Sequence, residues 1–129
     1  MRGQGPRPLV GEVADVEPHP EFVGQLPGSI AVEDEGDRRV LILRGELDAA
    51  VVSSFQATQR AEPVVVDAID AAAVTFMSST GVAVMLLTVQ ASLAAGRSPV
   101  LRASSHFVDR LLRMSGIDDM FRRPHETRE

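Results

Sequence analysis

Thr75-Phe76-Met77-Ser78-Ser79-Thr80-Gly81-Val82-Ala83-Val84-Met85-Leu86-Leu87 sets three consecutive hydroxyl residues directly ahead of the most apolar run of the chain. Val82, Met85, Leu86, Val89 and Leu93 recur at helical spacing, and Gly96 stands where a left-handed C-terminal cap is expected. Upstream, Val64-Val65-Val66 is a compact apolar run suited to a strand buried on both faces. A buried strand, a hydroxyl-rich loop and a helix in that order make an α/β unit.

Working outward, residues 29–32 and 40–43 are short β-rich runs separated by the polar turn Glu33-Asp34-Glu35-Gly36-Asp37, which predicts a hairpin. After Gly45-Glu46-Leu47-Asp48, residues 49–60 suit a short helix that ends before Pro63, because the residue preceding proline avoids the α region. On the other side, Val100 and Leu101 form a further strand, with Pro99 at its first residue or an edge. Ser104 or Ser105 caps a last helix through Phe107, Val108, Leu111 and Leu112, which stops at Gly116 with Ile117 folded back on Leu112. Asp118-Asp119-Met120-Phe121 starts one more short turn. The order is β-β-α-β-α-β-α. It predicts an α/β fold: an N-terminal β-hairpin leading into a mostly parallel mixed sheet, with helices packed on it through right-handed crossovers.

A chain of 129 residues accommodates one domain, expected over residues 28–122. Residues 1–27 hold Pro6, Pro8, Pro18, Pro20 and Pro27 and read as a mostly disordered tail, and residues 123–129 as a polar one. With no Cys, neither disulfides nor thiolate chemistry enter, and a cytoplasmic location is favoured. No run is long enough to insert in a membrane, and the N-terminal region lacks the layout of a secretory signal. A net charge of −5 with no basic cluster argues against nucleic acid as a partner. The absence of Lys excludes a P-loop. Neither a cofactor nor a metal site is indicated, His19 having no ligand partners near it in sequence.

The three hydroxyls are therefore the feature with chemistry in it. One Ser or Thr at a helix N-cap contributes about 1 kcal/mol, and one cap needs only one hydroxyl. A further exposed Ser at the positive helix end suits a phosphate, whose added charge the dipole and free N–H groups stabilise. The helix that follows is apolar nearly all round in its first two turns, so it is either covered on both sides or meets a partner. Catalysis by a triad of Ser79, His106 and Asp109 has no local support, since a nucleophile elbow needs glycines flanking the serine.

At this point the chain resembles the STAS domains, in particular the anti-sigma factor antagonists. Gly45-Glu46-Leu47-Asp48, Val64-Val65-Val66-Asp67, Phe76-Met77-Ser78-Ser79-Thr80-Gly81, and Arg110-Leu111-Leu112 with Ser115-Gly116-Ile117 and Met120-Phe121 carry the resemblance in the family's order. It implies a STAS-like fold and a non-enzymatic binding module, with a GHKL-type serine kinase that is also the anti-sigma factor as partner and a PP2C-type phosphatase as its antagonist. It places the phosphoacceptor at Ser79, with Ser78 and Thr80 as alternates. Partner contacts fall at Asp48, Met77, Ser78, Ser79, Thr80, Gly81, Val82, Val84 and Met85. Two features depart from the family. Ser78 stands where it has Asp, and only eighteen residues separate Asp48 from Asp67, which shortens the first helix by about two turns. A STAS module acting without phosphorylation, as a subunit of a lipid-transport ATPase complex or a stress-signalling scaffold, is the alternative.

Overall fold

A computed structural model describes residues 27–59 and 62–124. The expected tails therefore lie largely outside the described residues. β1 (Ser29–Glu35) and β2 (Arg38–Leu47) form an antiparallel hairpin that turns over Gly36 and Asp37 alone. The strands run further into the acidic stretch than its polarity suggests, because Glu33, Asp34 and Glu35 pair with Val40, Arg39 and Arg38. Cross-strand charges of opposite sign favour that pairing, and Asp34 meets the Arg39 guanidinium at 3.3 Å.

The chain continues through α1 (Ala49–Thr58), β3 (Ala68–Met77), α2 (Ser79–Ala94), β4 (Val100–Ser104), α3 (His106–Met114) and a 3-10 turn at Asp118–Met120. The sheet order is β1-β2-β3-β4, with β2, β3 and β4 parallel. Both crossovers step the same way across the sheet, so a constant right hand puts α1 and α2 on one face. The register sets Leu41 of β2 beside Ile69 of β3, and Ile69 beside Leu101 of β4. These side chains belong to one core with Val52 of α1, Val84 and Met85 of α2, Val108 and Leu112 of α3, and Phe121.

The other face of the sheet is thinner. Val40, Ile42 and Ala68 form a second buried cluster with Val100, and it contains strand residues only. An ionic strap spans this side of the molecule between the two outer strands. Arg102 of β4 donates its Nε to Asp70 of β3 at 3.0 Å and its two terminal nitrogens to Glu35 of β1 at 2.8 and 3.0 Å. That bidentate bond from Arg102 is the chief cause of a Glu35 carboxyl held below its ordinary value.

The central strand is the main correction to the sequence reading. Val64, Val65 and Val66 are not in the sheet; β3 begins at Ala68 and runs to Met77. The Val66 N–H goes instead to the Ser92 hydroxyl of α2 at 2.8 Å, and that hydroxyl donates to the Thr88 carbonyl at 2.7 Å. Ser92 is fully buried. We expect Ser92→Ala to cost about 1–3 kcal/mol, because it strands a buried N–H. Urea unfolding measures this, and an unchanged midpoint would show that Val66 does not depend on the hydroxyl.

Helices α2 and α3 both end as the glycines foretell. In α3, Gly116 at φ 73° lets its own N–H reach Arg113 O and the Ile117 N–H reach Leu112 O at 3.0 Å, the paired bonds of a Schellman cap. The same pair of bonds closes α2 through Gly96 and Arg97. At its start, α3 is capped by Ser105, whose hydroxyl accepts the Val108 N–H at 3.2 Å.

Candidate functional site

The C-terminal ends of β2 and β3 lie side by side, and the hydroxyl loop leaves the sheet there. The Ser78 N–H donates to Leu47 O at 2.9 Å, which fastens the loop to the end of β2. Ser78 is the N-cap of α2, yet its side chain makes no capping bond. Its backbone carbonyl accepts from the Gly81 and Val82 N–H groups, and its hydroxyl pairs with Thr80 Oγ1 at 2.7 Å. One of these two hydroxyls thus donates to the other. Ser79, between them, is exposed at the first position of α2, and its hydroxyl has no hydrogen-bond partner among the described residues.

Gly81 explains how the helix can start so close to the sheet. A Cβ there would lie 2.6 Å from Met77 Cγ and 3.7 Å from Leu47 Cβ. Asp48, the last residue of the Gly-Glu-Leu-Asp stretch, is exposed and caps α1, accepting the Val51 N–H at 3.0 Å. Among the residues expected to meet a partner, Met77, Gly81, Val84 and Met85 are buried and form the wall behind the loop. Val82 is half-buried, while Asp48, Ser79 and Thr80 face outward.

Two outward residues of α2 went unnamed as contacts in the sequence reading. Ala83 and Leu87 continue the exposed stripe that begins at Ser79, and Leu87 is 53% exposed. They were hidden because α2 is apolar all round, so hydrophobicity alone cannot phase it. Its buried stripe is Gly81, Val84, Met85, Thr88 and Ser92, whereas Leu93, expected in the core, is exposed. Phe76 adds a partly exposed ring beside the loop, 5.8 Å from the ring of Phe107. Neither α1 nor α2 contains a single charged residue, in contrast to α3 with Asp109, Arg110 and Arg113.

The Ser79–His106–Asp109 grouping is not assembled. Asp109 is turned onto the Ser104 hydroxyl and the Arg123 guanidinium, at 3.2 Å from the latter. Burial pushes its carboxyl up, and those two donors outweigh that and hold it below the usual value. Arg123 also reaches Asp118 at 3.1 Å, so this cluster ties the chain after the 3-10 turn onto α3. Among the described residues no group of three or more His, Asp or Glu side chains could hold a metal, and no helix is long and apolar enough to cross a membrane.

A four-stranded mixed sheet with an N-terminal hairpin and three helices has the layout of a STAS domain. The family model described as Mlab, STAS domain matches residues 30–122, and the chain belongs to that family. Among solved structures it is similar to an anti-sigma factor antagonist from Mycobacterium paratuberculosis, at 24% identity and a TM-score of 0.55 over 75% of this chain and 85% of that one. It is also similar to the anti-sigma factor antagonist SpoIIAA in its unphosphorylated form, at 22% identity and a TM-score of 0.56 over 76% of this chain and 91% of that one. Both likenesses concern the fold. No curated protein matches the chain.

Proposed function

We propose that this chain is an anti-sigma factor antagonist: it binds an anti-sigma factor of the GHKL serine-kinase type, frees the sigma factor, and is switched off by phosphorylation of Ser79. The observation that carries the reading is the state of the three hydroxyls. Ser78 and Thr80 are bonded to each other at 2.7 Å, and Ser79 alone is exposed and unbonded at the positive end of α2. A kinase docking on this loop meets in Ser79 the one hydroxyl of the three that no other described residue holds. Ser78 and Thr80, the alternate acceptors, would first have to give up their shared bond. The phosphate would sit at the helix end that best tolerates it, and a PP2C-type phosphatase would restore the docking state. Such switching takes place in the cytoplasm, with no catalysis by this chain.

A second reading is favoured by Ser78 itself, which stands where the family loop has Asp and so leaves no carboxylate next to the acceptor. In that case the same surface docks without phosphorylation, in a lipid-transport ATPase complex or a stress-signalling scaffold. The test is to incubate the full chain with candidate anti-sigma kinases and ATP and to locate phosphate by mass spectrometry. Stoichiometric phosphate on Ser79, lost in Ser79→Ala, is the expected result. Tight binding with no phosphate on Ser78, Ser79 or Thr80 sinks the switch and keeps the docking role. No binding to any such kinase favours the second reading.

A further inference from the structure

Two rows of apolar side chains run down the facing sides of α2 and α3. On α2, Val84 and Leu87 share a cleft with Phe55 of α1, so Val82, Leu86, Val89 and Leu93, spaced by four, three and four residues, turn the other way, toward α3. On α3, Val108 and Leu112 enter the core. Asp109 turns to the edge of β4 that β3 leaves open, where Arg122 pairs with Val100 and Arg123 holds the carboxylate. Phe107, Leu111 and Met114 therefore lie on the opposite side, facing α2, and the Phe107 ring stands against Phe76 of β3. Both helices run back to the end of the sheet where β4 starts, since α2 leads into Val100 and α3 into Arg122 beside it.

The rows change in exposure along their length. Val82, Leu86, Val89, Phe107 and Leu111 are half-buried against the core, whereas Leu93 and Met114, at the C-terminal ends of their helices, are 56% and 77% exposed. About 21 Å of helix separates Leu93 from Ser79. Single exposed apolar residues are ordinary on a surface, but a row continued on a neighbouring helix makes a patch. Its two rims differ in charge. α2 has none. α3 sets Arg110 and Arg113 beside Met114, both exposed and neither in an ion pair among the described residues. Asp109, the one acid of α3, is already held by Ser104 and Arg123.

We propose that the Leu93–Met114 end of this seam docks one helix of a second partner protein, apolar on the face it buries and acidic along the edge that lies over α3. A helix laid along two others meets them through rows of side chains three and four residues apart, which is the spacing of both rows here. Carboxylates on its α3 edge pair with Arg110 and Arg113, whose planar guanidinium groups suit two-pronged bonds to an acid. Its α2 edge needs no charge. A second copy of this chain laid on the seam by the same face is a poor occupant, because it brings two more arginines and no free carboxylate. The site lies at the other end of α2 from the hydroxyl loop, so it does not depend on the phosphorylation reading and stays open while that loop is occupied.

The probe is a fluorescein-labelled, alanine-based helical peptide with leucines along one face and glutamates along one edge, compared with a peptide whose glutamates are replaced by lysines. Titrated with the full chain and followed by anisotropy, the glutamate peptide is expected to bind roughly tenfold more tightly than the lysine peptide, and Arg110→Glu combined with Arg113→Glu should reverse that order. Met114→Asp, at a side chain exposed enough to spare the fold, should weaken the glutamate peptide roughly tenfold with thermal unfolding unchanged, while Ser79→Asp should leave its binding as it was. Equal affinity for the two peptides, or none for either, overturns the proposal. Loss on Ser79→Asp equal to that on Met114→Asp moves the site to the loop, and a dimer in sedimentation that Leu93→Asp dissolves gives the seam to a second copy; either result also overturns it.

Discussion

Ser79→Asp is expected to weaken binding of the full chain to the anti-sigma partner proposed for it by about 1–3 kcal/mol, the cost of burying a group that the partner leaves unsatisfied, or roughly 5- to 150-fold in Kd. The size of the effect comes from the setting. Ser79 opens an exposed stripe that continues through Ala83 and Leu87 on a helix without any charge. A partner that closes over this stripe must strip water from the new carboxylate, and neither α1 nor α2 supplies a cation to pair with it. The domain itself should tolerate the change, since an acid in the first turn of a helix contributes about 0.3–1 kcal/mol of stability through the dipole. Thermal unfolding should show Ser79→Asp at least as stable as the native chain, while titration calorimetry shows the loss of affinity. Ser79→Ala should bind like the native protein and accept no phosphate. Native-like affinity of Ser79→Asp would move the docking surface away from this loop.

Much of this surface can be read from the sequence because local chemistry fixes it. The caps of α3 follow from Ser105, Gly116 and Ile117, residues whose roles are satisfied within one helical turn. The hairpin follows from the polar turn around Gly36 and Asp37 between two short β-rich runs. Strand β3 is different. It is built largely from Ala68, Ile69, Asp70, Ala71, Ala72 and Ala73, residues with little β preference of their own apart from Ile69. They are held as a strand because β2 and β4 pair with it on both sides. The more β-like Val64-Val65-Val66 is diverted by a bond to Ser92, twenty-six residues away in sequence. No local pattern carries that information.

The phase of α2 was hidden for a related reason. Hydrophobic spacing selects Val82, Met85, Leu86, Val89 and Leu93, but the stripe that faces the sheet includes Thr88 and Ser92. A buried serine is tolerable there because its hydroxyl is fully used, giving to Thr88 O and receiving from Val66 N. With Thr88 and Ser92 in the core stripe, Val84 turns inward and Leu93 is left exposed. The misread phase of α2 and the misplaced strand thus meet at one residue, Ser92.

Gly81 is where the fold and the candidate site depend on each other. Helix propensity alone predicts that Gly81→Ala stabilises α2, by about 0.5–1 kcal/mol. We expect the opposite sign. The added methyl lies 2.6 Å from Met77 Cγ, near the base of a side chain that is itself buried, so it cannot be accommodated by swinging a free end away. Overpacking of this kind costs about 1–3 kcal/mol, which exceeds the propensity gain. Relief requires α2 to lift from the end of β3, and that strains the 2.9 Å bond from the Ser78 N–H to Leu47 O that sets the loop. Gly81→Ala should therefore lower stability in urea and also weaken partner binding, although Gly81 is buried. The decisive measurement is a cycle with Met77→Ala, which alone should cost about 2–5 kcal/mol through the cavity it leaves. In the double variant the new methyl occupies part of that cavity, so the combined loss should fall short of the sum by about 0.5–3 kcal/mol. Strict additivity would mean that Met77 is not what forbids a side chain at position 81.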